Sequence, residues 1–140
     1  MKFIKILIII FFSLFSKNVL ASSDYFQEGL KFYEKKQFDK AKFKFEQDIV
    51  FNPKSENSYL YLSKIFKNKK NKDLEEKNLN TVILLNPKNE EALYNLAELK
   101  LKESDYKESG RIIKNLMIFC DKFCQKSRDL KVEIESSSKK

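Results

Sequence analysis

The 140-residue sequence has no histidine and no tryptophan, and it has only two glycines, two prolines and two cysteines. Without histidine the chain lacks the commonest general base and the commonest metal ligand of proteins. Its two glycines, Gly29 and Gly110, form no glycine-rich loop that would bind a phosphate group through backbone N–H groups. The composition therefore predicts a protein that is not an enzyme and that holds no metal and no cofactor.

Arginine is also scarce, since only Arg111 and Arg128 occur among 28 basic residues. The formal net charge of +8 comes from lysine. The planar guanidinium of arginine is the group best suited to recognise phosphate, so a lysine excess favours solubility over nucleic-acid recognition. We therefore expect no nucleic-acid partner.

Residues 1–21 have the pattern of a secretory signal peptide. A basic start precedes an apolar run over residues 6–15, and Val19 and Ala21 are the small residues before a cleavage site. A ten-residue run spans about 15 Å as a helix, against about 30 Å for the hydrocarbon core of a bilayer. The pattern thus favours a cleaved signal and a periplasmic protein without a stable membrane span. The alternative is an uncleaved anchor.

The rest of the chain repeats every 34 residues. Asn52-Pro53 and Asn86-Pro87 are 34 residues apart, and each closes an apolar segment. Proline biases the residue before it out of the helical conformation, so each pair predicts the end of a helix. Further sets align on this period: Tyr25, Tyr59 and Leu93; the small residues Gly29, Ser63 and Ala97; Phe38 and Tyr106; and Phe45, Leu79 and Ile113.

These motifs resemble the tetratricopeptide repeat (TPR), a helix–turn–helix unit of 34 residues. Residues 29–33, 38–41 and 92–97 carry most of the resemblance, together with Phe45 and Pro53. The resemblance implies an all-α fold, a right-handed TPR solenoid of three helix–turn–helix repeats plus a C-terminal capping helix. The implied boundaries within a domain over 22–135 are about 22–55, 56–89 and 90–121 for the repeats, about 125–135 for the capping helix, and 136–140 for a disordered tail.

Charged residues interrupt the pattern at three places. Asp48 stands where a TPR prefers alanine, Lys72 occupies the aromatic position of a turn, and Glu75 faces Ser63 at a close contact between helices. A glutamate at such a contact must extend its carboxylate to the surface or separate the helices. We therefore expect the second repeat to be the most loosely packed.

TPR proteins usually bind their partners on the concave face, through the first helix of each repeat. The resemblance places aromatic side chains and a few polar groups there, which suits a peptide or helix of a protein partner. The alternative is that some of these side chains pack between helices. The predicted groove residues are Phe26, Leu30, Tyr33, Leu60, Tyr61, Lys64, Lys67, Tyr94, Asn95 and Glu98.

One type of TPR groove is excluded by its residues. TPR domains that bind a C-terminal carboxylate use lysine, asparagine and arginine at fixed positions of the groove. By resemblance, those positions are Phe26, Leu30, Tyr61, Glu91 and Asn95 in this sequence. The carboxylate clamp is therefore absent.

Five lysines lie between Lys64 and Lys72, at the end of one predicted helix and in the turn that follows. Such a run is typical of a solvated turn. It is also typical of a basic rim that contacts an acidic partner or an anionic surface. TPR geometry would direct Lys64 and Lys67 toward the concave face.

Cys120 and Cys124 are the one pair of residues that could carry chemistry. In an oxidising compartment two cysteines this close predict a disulfide. Their Cβ vectors do not converge in an unbroken helix, so the bond requires a bend around residues 121–123. Two other interpretations stay open, namely two free buried thiols and a metal or redox site, which would lack a third ligand.

Together these features predict a protein–protein interaction adaptor of the bacterial cell envelope that binds a peptide or helix in the TPR groove. The alternative is a thiol-active or cofactor-handling periplasmic protein that uses Cys120 and Cys124.

Overall fold

A computed structural model describes residues 21–139, with side chains from Asp24 onward. The described residues form seven α-helices and no strand, which confirms the all-α fold. None of these helices has the length and apolarity that crossing a membrane requires. The predicted signal peptide lies outside the described residues, apart from Ala21. The helices are α1 (Ala21–Glu34), α2 (Phe38–Phe51), α3 (Glu56–Asn68), α4 (Lys72–Leu85), α5 (Glu90–Lys102), α6 (Tyr106–Phe119) and α7 (Cys124–Ser137).

The helix boundaries follow the period seen in the sequence. The second helix of each repeat begins at Phe38, Lys72 or Tyr106, at intervals of 34 residues. Two of these helices have the same kind of N-cap, because the side chains of Asn71 and Asp105 accept backbone N–H groups of the first turn, at 3.1 and 3.0 Å. The three helix–turn–helix units are therefore confirmed, and Lys72 replaces an aromatic residue without changing where its helix begins.

The first helix of each repeat ends in the same turn. Lys36, Lys70 and Ser104, also 34 residues apart, have φ values of 57°, 56° and 61°. After α5, the N–H groups of Ser104 and Asp105 donate to carbonyls of the last helical turn, each at 2.9 Å. This arrangement satisfies carbonyls that the helix leaves unpaired. It places a non-glycine residue in the left-handed region, which costs on the order of 1 kcal/mol.

The aligned small residues lie at close contacts between paired helices. A Cβ atom on Gly29 would lie 2.6 Å from Cε1 of Phe45, so only glycine fits there. Ser63 and Ala97 are buried as well. The hydroxyl of Ser109 donates to the carbonyl of Ala97 at 2.7 Å, which ties α6 to α5.

Glu75 is buried at its position in the second repeat, with 5% of its surface exposed. Burial raises the pKa of its carboxyl group, against the lowering effect of the charges of Lys67 and Lys102. A carboxyl group whose ionised form is disfavoured by burial is a source of instability. The looser packing of this repeat stays a prediction.

The described chain divides into two compact units, one up to Pro53 and one from Lys54. In the first unit Ala41 and Phe45 are fully buried between α1 and α2. In the second unit a single apolar core joins α3 to α7. Its fully buried members include Leu79, Val82, Ile113 and Leu116.

Helix α7 covers the end of this second core. Leu130 and Ile134 are 4% and 5% exposed and belong to the core, which confirms the predicted capping helix. The helix is longer than predicted, and Ser136 and Ser137 are helical where a disordered tail was expected. The hydroxyl of Ser136 donates to the carbonyl of Glu133 at 2.9 Å, so a polar side chain continues the last turn.

Candidate functional site

Side chains of α3 and α5 converge on one surface of the second unit, which we name the α3–α5 face. Two ion pairs join the helices across it. Lys64 Nζ lies 2.8 Å from Glu91 Oε1, and Lys67 donates to Glu98. The α3–α5 face consists of Tyr61, Lys64, Lys67, Glu91, Tyr94 and Glu98. Asn95, another predicted groove residue, is half-buried on α5.

The charges of this face are largely compensated. Glu98 also pairs with Lys102, at 3.3 Å. Burial raises the pKa of Glu98, but the hydrogen bond and charge of Lys67, with the charge of Lys102, outweigh it and leave the pKa lowered. Glu98 is therefore ionised at neutral pH. Within the predicted basic rim over Lys64–Lys72, Lys64 and Lys67 each have a glutamate partner. The rim itself stays a prediction.

Two tyrosines give the α3–α5 face its apolar surface. The ammonium group of Lys64 lies 4.6 Å from the centre of the Tyr61 ring, within the range of a cation–π interaction. The ring of Tyr94 packs at 5.4 Å from that of Phe123. Burial and the neighbouring Glu98 raise the pKa of Tyr94, so its hydroxyl stays protonated and can donate a hydrogen bond. Both rings are half-buried, which leaves part of each for a partner.

Phe123 reaches Tyr94 because the turn between α6 and α7 is held against α5. The two carboxylate oxygens of Glu90 accept the backbone N–H groups of Asp121 and Phe123, at 2.9 and 2.8 Å. The bond from Phe123 is the main reason that the pKa of Glu90 is lowered. Sequence reasoning missed both Glu90 and Phe123. The one signal for Phe123 was the bend expected between the cysteines.

Glu56, 34 residues before Glu90, holds the previous turn through side-chain amides instead of backbone N–H groups. Its Oε1 accepts the side-chain amide of Asn86 at 3.0 Å and that of Asn89. The first residue of α3 and the first residue of α5 thus each fix the turn that follows their own repeat. This repeated contact keeps the first helices in register with the chain that enters the next helix.

The remaining predicted groove residues differ in position. Leu60 is 6% exposed and belongs to the core, so it does not line a groove; it faces inward with the apolar residues of its helix. In the first unit, Leu30 is half-buried, while Phe26 packs against Phe45 with ring centres 5.7 Å apart and Tyr33 against Phe38 at 5.5 Å. Both rings thus make contacts within their own helix pair, the alternative that the sequence left open.

Cys120 and Cys124 lie where a disulfide can join them, with their Cα atoms 5.2 Å apart. Helix α6 ends at Phe119 and α7 begins at Cys124, so the predicted bend between them is confirmed. Formation of this bond in the cell stays a prediction. In the described part of the chain, no group of three or more histidine, cysteine, aspartate or glutamate residues could hold a metal ion.

Comparison with known proteins identifies the fold. No protein-family model matches the sequence, and no curated protein matches it. The TPR domain of Arabidopsis OM64 has a TM-score of 0.76 at 18% identity, covering 85% of this chain and 98% of that one. The TPR2B domain of yeast Sti1, in its complex with pHsp70, has a TM-score of 0.74 at 12% identity and covers 82% and 96%.

A bacterial structure is similar too. The type III secretion chaperone SycD of Yersinia enterocolitica, in complex with a peptide of the translocator YopD, has a TM-score of 0.67 at 14% identity. It covers 84% of this chain and 88% of that one. At these identities the likeness establishes the fold alone. That fold is the TPR helical solenoid.

Proposed function

We propose that this protein is a non-enzymatic adaptor that binds a peptide or helix of a partner protein on the α3–α5 face. The observation that carries the proposal is the convergence of two half-buried tyrosines, Tyr61 and Tyr94, on a face whose charges are already paired. Partly exposed aromatic rings beside convergent polar groups are typical of interface hot spots. The solved complexes of Sti1 and SycD, which have the same fold, support the proposal because each holds a polypeptide partner.

The charges of the face indicate what the partner presents. Lys64 and Lys67 already have carboxylate partners, so a C-terminal carboxylate would have to displace Glu91 or Glu98 to reach them. Glu91 itself stands at a position that a carboxylate clamp requires to be basic. The partner segment is therefore an internal stretch with aromatic or aliphatic side chains that pack on Tyr61 and Tyr94, and polar atoms that bond the Tyr94 hydroxyl.

Site-specific photo-crosslinking tests this proposal. A photoreactive phenylalanine analogue replaces Tyr61 in one variant and Tyr94 in another, with Asn80, an exposed residue of α4, as the control position. We expect the two tyrosine positions to capture the same partner through the same segment, and Asn80 not to capture it. Equal capture from Asn80, or different proteins from the two tyrosine positions, would reject the α3–α5 face as the binding site.

The proposal includes export to the periplasm of a bacterial cell. It is supported by the basic start, the apolar run over residues 6–15 and the small residues Val19 and Ala21. We expect a mature protein that begins at Ser22. Intact-mass measurement of the envelope fraction checks this, and a species that retains residues 1–21 would indicate a membrane anchor.

A thiol-active protein is the second candidate, favoured by the half-buried position of the two cysteines at the bend between α6 and α7. Such a protein forms a mixed disulfide with its substrate, which a variant lacking the second cysteine traps. We expect Cys120→Ser and Cys124→Ser to trap no partner covalently. A defined protein released from either variant only by reductant would favour the thiol-active function instead.

A further inference from the structure

Gly110 lies inside α6 where packing does not require glycine. A Cβ atom there would meet Cγ2 of Ile134 at 3.9 Å, an ordinary contact, whereas a Cβ atom on Gly29 would lie 2.6 Å from Phe45. Glycine inside a helix is less favourable than alanine, because it loses more backbone freedom on folding. The missing side chain at Gly29 avoids a clash with Phe45, whereas the missing side chain at Gly110 leaves a space next to Ile134 unfilled.

That space belongs to a cavity of about 250 Å³ between α6 and α7. Met117 and Ile134 give it apolar walls, and Gly110 removes a side chain from its α6 side. Both helices belong to the second unit, and Leu130 and Ile134 of α7 are buried in its core.

The charged groups at this cavity are mostly positive. Lys114 and Lys131 line it together with one carboxylate, that of Glu135. Lys131 and Glu135 are 3.8 Å apart, too far for a hydrogen bond. Within residues 24–139, Lys114 belongs to no ion pair. Lys114 can therefore donate hydrogen bonds to an external carboxylate, and Lys131 can do so beside its long ion pair with Glu135.

We infer that this cavity is a second binding site, which takes one aliphatic side chain of a partner protein followed directly by an acidic residue. Its volume is below the range of roughly 300–1,000 Å³ that is usual for small-molecule pockets, so a single side chain fits it better than a free metabolite does. The aliphatic group packs between Met117 and Ile134, and the carboxylate pairs with Lys114 and Lys131. Since the cavity lies on α6 and α7, it is independent of the proposed binding on α3 and α5.

Two synthetic peptides test the site. The probe is acetyl-Gly-Leu-Glu-amide, and its neutral counterpart has glutamine in place of the glutamate. In ¹H–¹⁵N spectra of the full mature chain, we expect the acidic peptide to shift the amide signals of Gly110, Met117 and Ile134 saturably. The neutral peptide should bind roughly three- to tenfold more weakly, because it lacks the two surface charge pairs.

Variants separate the cavity from the surface around it. Gly110→Leu fills the cavity and should abolish the saturable shifts, whereas Gly110→Ala removes little space and should retain them. Lys114→Met should weaken the acidic peptide several-fold, and Lys77→Met, at an exposed lysine of α4, should not. The inference is wrong if the acidic peptide shifts none of the three amide signals at millimolar concentration. It is also wrong if a folded Gly110→Leu or Lys114→Met variant binds the acidic peptide as well as the unsubstituted protein does.

Discussion

Alanine at the two glycines should change stability in opposite directions. At Gly29 a new Cβ atom would lie 2.6 Å from Cε1 and 2.7 Å from Cδ1 of Phe45, whose ring is fully buried and has no exposed space to enter. Overpacking of this kind costs about 1–3 kcal/mol, while alanine gains about 1 kcal/mol over glycine in a helix. We expect Gly29→Ala to lower the free energy of unfolding by up to about 2 kcal/mol.

Gly110→Ala is the matched control, because it introduces the same atom at the interior of another helix. Its Cβ atom would meet only an ordinary contact at 3.9 Å. The helix then gains alanine's propensity without a clash, so the free energy of unfolding should rise by about 1 kcal/mol. The difference between the two variants isolates the cost of the contact with Phe45.

Urea unfolding followed by far-ultraviolet circular dichroism measures both changes. An unchanged slope of the unfolding free energy against urea concentration shows that each variant exposes the same surface on unfolding as the unsubstituted protein. If Gly29→Ala stabilises the protein as much as Gly110→Ala does, Gly29 does not face Phe45. The pairing of α1 with α2, and the alignment of the first repeat, would then be wrong.

Three further substitutions test other features. Ser104→Gly should raise the free energy of unfolding by about 1 kcal/mol, because Ser104 has a φ of 61°; urea unfolding measures this, and a loss would contradict it. Glu75→Gln should stabilise the folded protein at neutral pH. Because the pKa of Glu75 is raised above 4.5 in the folded state, the unsubstituted protein loses stability as the pH rises from 4.5 through the pKa of the folded state. Melting curves should show the gain vanish at lower pH, and a constant gain would exclude titration of Glu75. Replacing both Cys120 and Cys124 with serine should lower the melting temperature, by the equivalent of about 2 kcal/mol in the chain-entropy model. Partner binding should stay within a few-fold of that of the unsubstituted protein. A double variant that keeps its stability but loses its function would indicate thiol chemistry instead.

The fold was largely predictable because the repeat imposes the same constraints three times. Asn52-Pro53 and Asn86-Pro87 mark helix ends through local backbone sterics, which do not depend on the rest of the structure. Small residues at Gly29, Ser63 and Ala97 indicate where helices meet. The end of α7 was less predictable, since the serine side chains that continue it equally favour a loop.

The α3–α5 face was predicted only in part, because tertiary contacts decide which side chains are exposed. Periodicity placed Leu60 and Tyr61 on one helix, but it did not show that Leu60 turns into the core. The lysine-rich stretch indicated a basic surface, whereas the partners of Lys64 and Lys67 come from a helix about 30 residues later. Phe123 belongs to no repeat, and it reaches Tyr94 through the backbone contacts of Glu90.

Peptide binding on the α3–α5 face is tested most directly by calorimetric titration of the captured partner segment into the mature protein and its Tyr61→Ala variant. Tyr61 is the suitable position because, unlike Tyr94, it is not among the residues packed against the core of the second unit. Loss of an aromatic hot spot costs about 2 kcal/mol or more, so the dissociation constant should rise by about thirtyfold. The exposed control Asn80→Ala should leave it unchanged. A Tyr61→Ala variant that melts at the unsubstituted temperature and binds the segment with undiminished affinity would contradict binding at this face.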